Sequence, residues 1–239
     1  MDSSRSSVVM KQLGAACGIL YPALTYVGYY TLGNAGDAPA RDAPVDAYAQ
    51  FFATNTTTWT LLGLYVELLG LACLIVFVPT LWSVLASAEG ARGWLSGVVL
   101  GSGVMMAAMK MGSAAPYIVA MQRSDEGLDP QLARTLLDLN TAAFVLTWIP
   151  LAVLIGATAA VVIQTESLPR WLGWLAAVIS VGLLAGVPLM WSSERAIIVF
   201  MLALIWLVAA SVTLMRVVGR QDRSAEPASV SSLATRDSQ

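Results

Sequence analysis

The chain contains no histidine, which removes imidazole general-base chemistry and most zinc sites together. Cysteine is nearly absent as well. Cys17 and Cys73 lie inside apolar stretches, in no Cys-x-x-Cys pattern, and read as small buried side chains. Metalloprotease, P-loop and nucleophile-elbow motifs are missing. No catalytic residue, metal ligand or cofactor is therefore assigned, and an enzymatic role is disfavoured. Charge is scarce, at 12% of residues and a formal net of −2. Without a basic surface domain, nucleic acid is not an expected partner.

What the chain has in excess is apolar length. Hydrophobic residues make up 57% of it, and its mean hydropathy is +0.71. Charge-free runs cover 12–36, 47–66, 68–88, 139–165, 171–193 and 196–215, each about long enough to cross a ~30 Å hydrocarbon layer. The polar segment Thr54-Asn55-Thr56-Thr57-Thr58 leaves room for one span around Glu67, and the run around Lys110 adds another. In lipid only helices or closed barrels satisfy the backbone. The expectation is an all-α integral membrane bundle of six transmembrane helices in antiparallel up-down order, near 11–32, 59–85, 93–121, 136–164, 169–190 and 195–218. Residues 1–10 read as a cytoplasmic tail. Residues 219–239, rich in Ser, Ala and charge, read as a disordered cytoplasmic one. The first apolar run is too long for the core of a signal peptide and reads as a retained span.

Basic residues orient the bundle. With the N-terminus inside, the inner segments carry Arg5, Lys11, Arg92, Arg170, Arg216, Arg220, Arg223 and Arg236, and the outer ones Arg41, Arg123, Arg134 and Arg195. That excess places both termini in the cytoplasm of a cell-membrane protein. The first outer loop holds Asp37, Asp42 and Asp46, then Tyr48, Phe51 and Phe52 at helical spacing, which reads as a short helix on the outer leaflet. In the second, Asp129 before Pro130 is a helix start, with Leu132, Leu136 and Leu139 as its apolar stripe. Trp59, Trp82, Trp94, Trp171, Trp174 and Trp191 fall near span ends, as an interfacial aromatic belt.

Chemistry concentrates at two residues. Lys110 and Glu67 interrupt apolar spans near their middles, where a charge costs roughly 2.5–3.5 kcal/mol on insertion scales and calls for a partner or a wet cavity. Counting from Glu89 in the intervening turn, Glu67 stands 22 positions before it and Lys110 21 after, so at ~1.5 Å rise per residue the two share a depth. They are the candidate ligand- or proton-binding pair, joined by Tyr65, Tyr117 and Asn140, with Ser113, Thr141 and Thr147 as further polar lining. The carbonyl freed by Pro116 near Gly112 offers a second contact for the lysine. A static ion pair fixing helix packing is the competing account. Gly14-x3-Gly18, Gly97-x3-Gly101 and Gly182-x3-Gly186 read as close-packing faces, within the bundle or between copies of it or other chains.

Leu-Gly-Leu-Tyr-Val-Glu at 62–67, Leu-Asp-Pro-Gln-Leu-Ala-Arg at 128–134 and Leu-Pro-Arg-Trp-Leu-Gly-Trp-Leu at 168–175 carry a resemblance. Over roughly residues 8–218 the chain resembles uncharacterised six-span bacterial membrane proteins, frequent in actinobacteria and classed as a domain of unknown function. The resemblance implies the six-span fold and no activity. The functional expectation is a multi-pass membrane protein that binds or transports a small ligand or proton near Glu67 and Lys110. The alternative is a non-catalytic scaffold or regulatory partner of another membrane complex. The lipid bilayer is the one partner that composition demands.

Overall fold

A computed structural model of the chain describes residues 2–32, 38–90, 93–189 and 197–236, with side chains described over 9–32, 38–90, 93–189 and 197–219. Asp37, Arg92, Trp191, Glu194 and Arg195 lie outside the described residues, as do the side chains of Arg5, Arg220, Arg223 and Arg236. Every regular element among the described residues is helical: α1 (Asp2–Tyr26) with a π-helical continuation Val27–Leu32, α2 (Val45–Asn55), α3 (Thr58–Glu89), α4 (Leu95–Arg123), α5 (Pro130–Leu146), α6 (Trp148–Thr165), α7 (Arg170–Leu189) and α8 (Ile197–Arg236). Among the described residues five helical stretches are long and apolar enough to cross a membrane: Thr58–Glu89, Leu95–Glu126, Pro130–Thr165, Arg170–Leu189 and Ile197–Gly219. They point to a membrane-embedded protein.

Helix ends follow local chemistry. Thr57 caps α3, its hydroxyl accepting from the Thr60 N–H at 3.2 Å, while the Thr60 hydroxyl donates to the Asn55 carbonyl at 2.7 Å. Asp129 caps α5 through the Leu132 N–H at 2.9 Å, with Pro130 in the first turn. At the α3–α4 turn the Glu89 carboxylate accepts from the Leu95 and Ser96 N–H groups at 3.0 and 2.8 Å. One acid thus satisfies two of the donors that a helix start leaves unpaired.

The span expected over 136–164 lies within the single crossing stretch Pro130–Thr165, which has a one-residue turn at Thr147 between α5 and α6. Pro150 has no N–H to give the Leu146 carbonyl, and the Thr147 hydroxyl donates to the Phe144 carbonyl at 2.6 Å. At the ends of the chain α1 begins at Asp2, and α8 runs as far as Arg236. Of the leucine stripe on α5, Leu132 and Leu139 are exposed, and Ala133 is the fully buried position. Lastly, α2 turns its aromatics onto protein: Tyr48 and Phe52 are buried with Ala120, Met121, Leu128 and Ala133 in a small second core over the α4–α5 turn.

The main core gathers Phe77, Trp148, Phe200, Trp206 and Tyr21 from α3, α6, α8 and α1. Lipid gives no hydrophobic force between helices, so close approach decides which faces meet. A Cβ placed on Gly14 would stand 2.0 Å from Thr80 Oγ1, and one on Gly18 would stand 2.1 Å from Ser211 Oγ and 2.5 Å from the Phe77 ring. On α7, Gly182 faces Val199 and Gly186 faces Trp148, each at 3.0 Å. Two of the three Gly-x3-Gly faces therefore serve the fold. Gly97 and Gly101 meet open space, which narrows the expected oligomer face to α4. Trp59, Trp82, Trp94, Trp171 and Trp174 are exposed, as a belt at the interfaces requires.

The two cysteines, on α1 and α3, meet side chain to side chain and are both free thiols.

Candidate functional site

Glu67 sits in the first third of α3 and Lys110 at the middle of α4, each the one charged side chain for many turns. The turn capped by Glu89 sets the register between these helices, and it brings Lys110 Nζ to 2.8 Å from Glu67 Oε1, with the two side chains 15% and 13% exposed. Neither stands bare in lipid. The ammonium also lies over the Phe144 ring, 4.6 Å from its centroid, so a carboxylate and an aromatic face share one cation. Among the described residues the ammonium meets these two groups; Gly112, four residues before Pro116, is on the exposed side of α4.

Phe144 is placed by the break before α6. Its ring meets Trp148 and Phe200 edge-on, at 6.1 and 5.2 Å, and Trp148 stacks on Phe200 at 5.8 Å. Asn140, one turn earlier on α5, donates to the Ser113 carbonyl at 2.7 Å, and the Ser113 hydroxyl donates to the Lys110 carbonyl at 2.7 Å. Asn140 and Ser113 thus hold the backbone that carries the lysine, instead of touching its ammonium. Thr141 is exposed, and Thr147 is buried on its own helix turn.

From the opposite side α1 presses on α3. A Cβ on Gly28 would come within 2.5 Å of the Gly63 carbonyl oxygen and 2.7 Å of the Glu67 nitrogen. The helix widens to π geometry there, from Val27 to Leu32, a distortion frequent at functional sites. Tyr21, Tyr29 and Tyr117 are all close enough to Glu67 to feel its charge. The Tyr21 hydroxyl, the Thr25 hydroxyl and the Trp148 indole N–H are buried with no hydrogen-bond partner among the described residues. An unsatisfied buried polar atom costs about 1–3 kcal/mol. Of the three, the Tyr21 hydroxyl is the one within reach of the Glu67 charge, and such an atom is where a water or a ligand's polar group finds a partner.

The expected site residues divide accordingly. Glu67 and Lys110 are joined. Tyr117 lies near them, packed edge-on against Phe52 at 5.4 Å on the α2 side. Asn140 supports them at one remove. Tyr65 is 58% exposed and belongs elsewhere, because two residues along a helix turn a side chain about 200° away from Glu67. Tyr21, Thr25, Tyr29 and Phe144 escape the sequence reading. A usable signal existed: Tyr21, Thr25 and Gly28 repeat at helical spacing, and Phe144 follows Asn140 by four.

Comparison with protein-family models, with curated proteins and with solved structures finds no match to this chain.

Proposed function

We propose a six-span protein of the cell membrane, its helices in antiparallel up-down order and both termini cytoplasmic, that binds or transports a small ligand or a proton at the Glu67–Lys110 pair. The sixth span is α1 with its π continuation, unbroken from residue 2 to 32. Its glycines meet α3 in reverse sequence order, Gly14 at Thr80, Gly18 at Phe77 and Gly28 at Gly63, which supports the alternating order. The family resemblance over 8–218 fits the same layout. The eight-to-four excess of inner arginine and lysine supports the orientation. Single cysteines placed at Asp42, Asp125 and Glu226 check it: the first two should react with an impermeant maleimide from outside intact cells, and the third only after lysis. Labelling of all three from outside would refute the topology.

One observation carries the functional reading: a 2.8 Å ion pair of partly exposed side chains inside the bundle, with the unpartnered Tyr21 hydroxyl in the field of its carboxylate. A proton neutralises Glu67 and releases the ammonium onto Phe144. A small anion competes with Glu67 for the same ammonium. The first event leaves the ammonium its contact with the Phe144 ring, and the second replaces one anion by another on the same ammonium.

Proteoliposomes holding a trapped pH dye test this. The wild-type protein should dissipate an imposed pH gradient, or carry a co-purified small molecule visible by mass spectrometry. The double variant Glu67→Gln, Lys110→Met should fold and lose both. If flux and co-purified molecules match between the two proteins, the pair is structural and the scaffold reading replaces this one.

A further inference from the structure

A second polar feature lies far along the chain from the ion pair. Where the α6–α7 turn meets α8, a cavity of about 470 Å³ is lined by Glu166, Ser167, Arg170, Trp171, Thr213 and Arg216. We infer that it is a binding site for the head group of an anionic phospholipid, a glycerol-linked phosphodiester of net charge −1. The inference rests on membrane embedding, and not on any role for Glu67 and Lys110.

The charges decide the ligand class. Arg170 is engaged by the Glu166 carboxylate one turn away. Arg216 is exposed and forms no ion pair or hydrogen bond among the described residues. Two guanidinium groups against one carboxylate leave the cavity one positive charge in excess. Arginine is the side chain best shaped to hold phosphate oxygens in pairs. The first turn of the 20-residue α7 opens at Arg170 and Trp171, and its free N–H groups favour an anion further.

Neutral donors and acceptors complete the site. The Ser167 hydroxyl lies 3.0 Å from the Thr165 hydroxyl, whose proton is shared with the Val161 carbonyl at 2.8 Å. Thr213 uses its proton on the Ala209 carbonyl at 2.8 Å and so offers lone pairs to a glycerol hydroxyl. Trp171 and Trp174, 56% and 62% exposed, stand at the start of a membrane-crossing helix, the depth at which head groups lie. Glu166 is the one described non-glycine residue with positive φ, at 53°. That left-handed conformation is uncommon outside glycine, asparagine and aspartate, and here it sets a carboxylate on the rim. A zwitterionic head group brings a cation of its own, which an excess of positive charge disfavours.

The test is native mass spectrometry of the full chain in detergent, titrated with dioleoylphosphatidylglycerol, dioleoylphosphatidylethanolamine or free glycerol 3-phosphate. The wild-type protein should bind the phosphatidylglycerol about tenfold more tightly than the phosphatidylethanolamine, and Arg216→Gln should abolish that preference. Glu166→Gln frees Arg170 and should tighten phosphatidylglycerol binding. Arg134→Gln, at the start of α5, should change neither affinity, and all variants should keep wild-type helicity. Equal affinity for the two lipids, or Arg216→Gln and Glu166→Gln without effect, would overturn the inference. Free glycerol phosphate binding as tightly as the lipid would reassign the cavity to a soluble phosphate and overturn the lipid assignment.

Discussion

Lys110→Met should lower the unfolding free energy by about 3–5 kcal/mol, the usual loss when one member of a buried ion pair is removed. The cause is Glu67. Methionine fills much of the lysine's volume and packs on Phe144, so little dispersion is lost. What remains is a carboxylate without the ammonium that stood 2.8 Å away, in surroundings where a lone charge is costly. Adding Glu67→Gln should recover most of the stability, since neither partner is then stranded. Denaturant titration of detergent-solubilised protein reads both results. A Lys110→Met variant as stable as the parent at neutral pH would mean that the pair does not hold the bundle.

Gly28→Ala comes second in expected size, although it adds a single methyl group. That methyl would stand 2.5 Å from the Gly63 carbonyl oxygen and 2.7 Å from the Glu67 nitrogen. Both are main-chain atoms of α3 and cannot turn aside as a side chain does. Overpacking of this kind costs about 1–3 kcal/mol, against which alanine's helix propensity returns roughly 0.8–1 kcal/mol. The net effect should still be destabilising. It should also push α3 away at the residue bearing the carboxylate, and so weaken proton or ligand handling beyond what the stability loss explains. Gly101→Ala is the control, because its Cβ meets open space and only the propensity gain should appear. Equal thermal behaviour of the two variants would show that the α1–α3 contact yields easily.

Much of this was legible in the sequence, for uneven reasons. Charge is so rare in the spans that Glu67 and Lys110 stand out, and counting outward from their turn fixes their common depth. Asp129 and Pro130 announce a helix start through strictly local chemistry. Direction around a helix was far less legible. Leu62 to Glu67 is apolar on every side of α3 but one, so nothing separates the face toward lipid from the face toward protein, and Tyr65 was assigned inward. Phe144 was missed because its position depends on the break that Pro150 imposes between α5 and α6. Tyr48 and Phe52 were assigned to the leaflet because an aromatic stripe fits lipid and protein equally well. The cavity beside Arg216 needs α8 laid against the turn before α7, a contact between segments more than 40 residues apart.

The glycines of α1 also bear on how the protein is made. This helix leans on α3 along one side and, at Gly18, on Ser211 of α8. During synthesis α3 follows it within a few dozen residues, whereas Ser211 leaves the ribosome nearly two hundred residues later. For most of translation the Gly18 surface therefore has half its neighbours. A membrane insertase, lipid or a transient helix pairing has to shelter that surface until α8 arrives. In order of synthesis α8 is then the helix that closes onto α1, and a ribosome halted before α8 holds a chain in which the Gly18 surface of α1 still lacks its Ser211 neighbour.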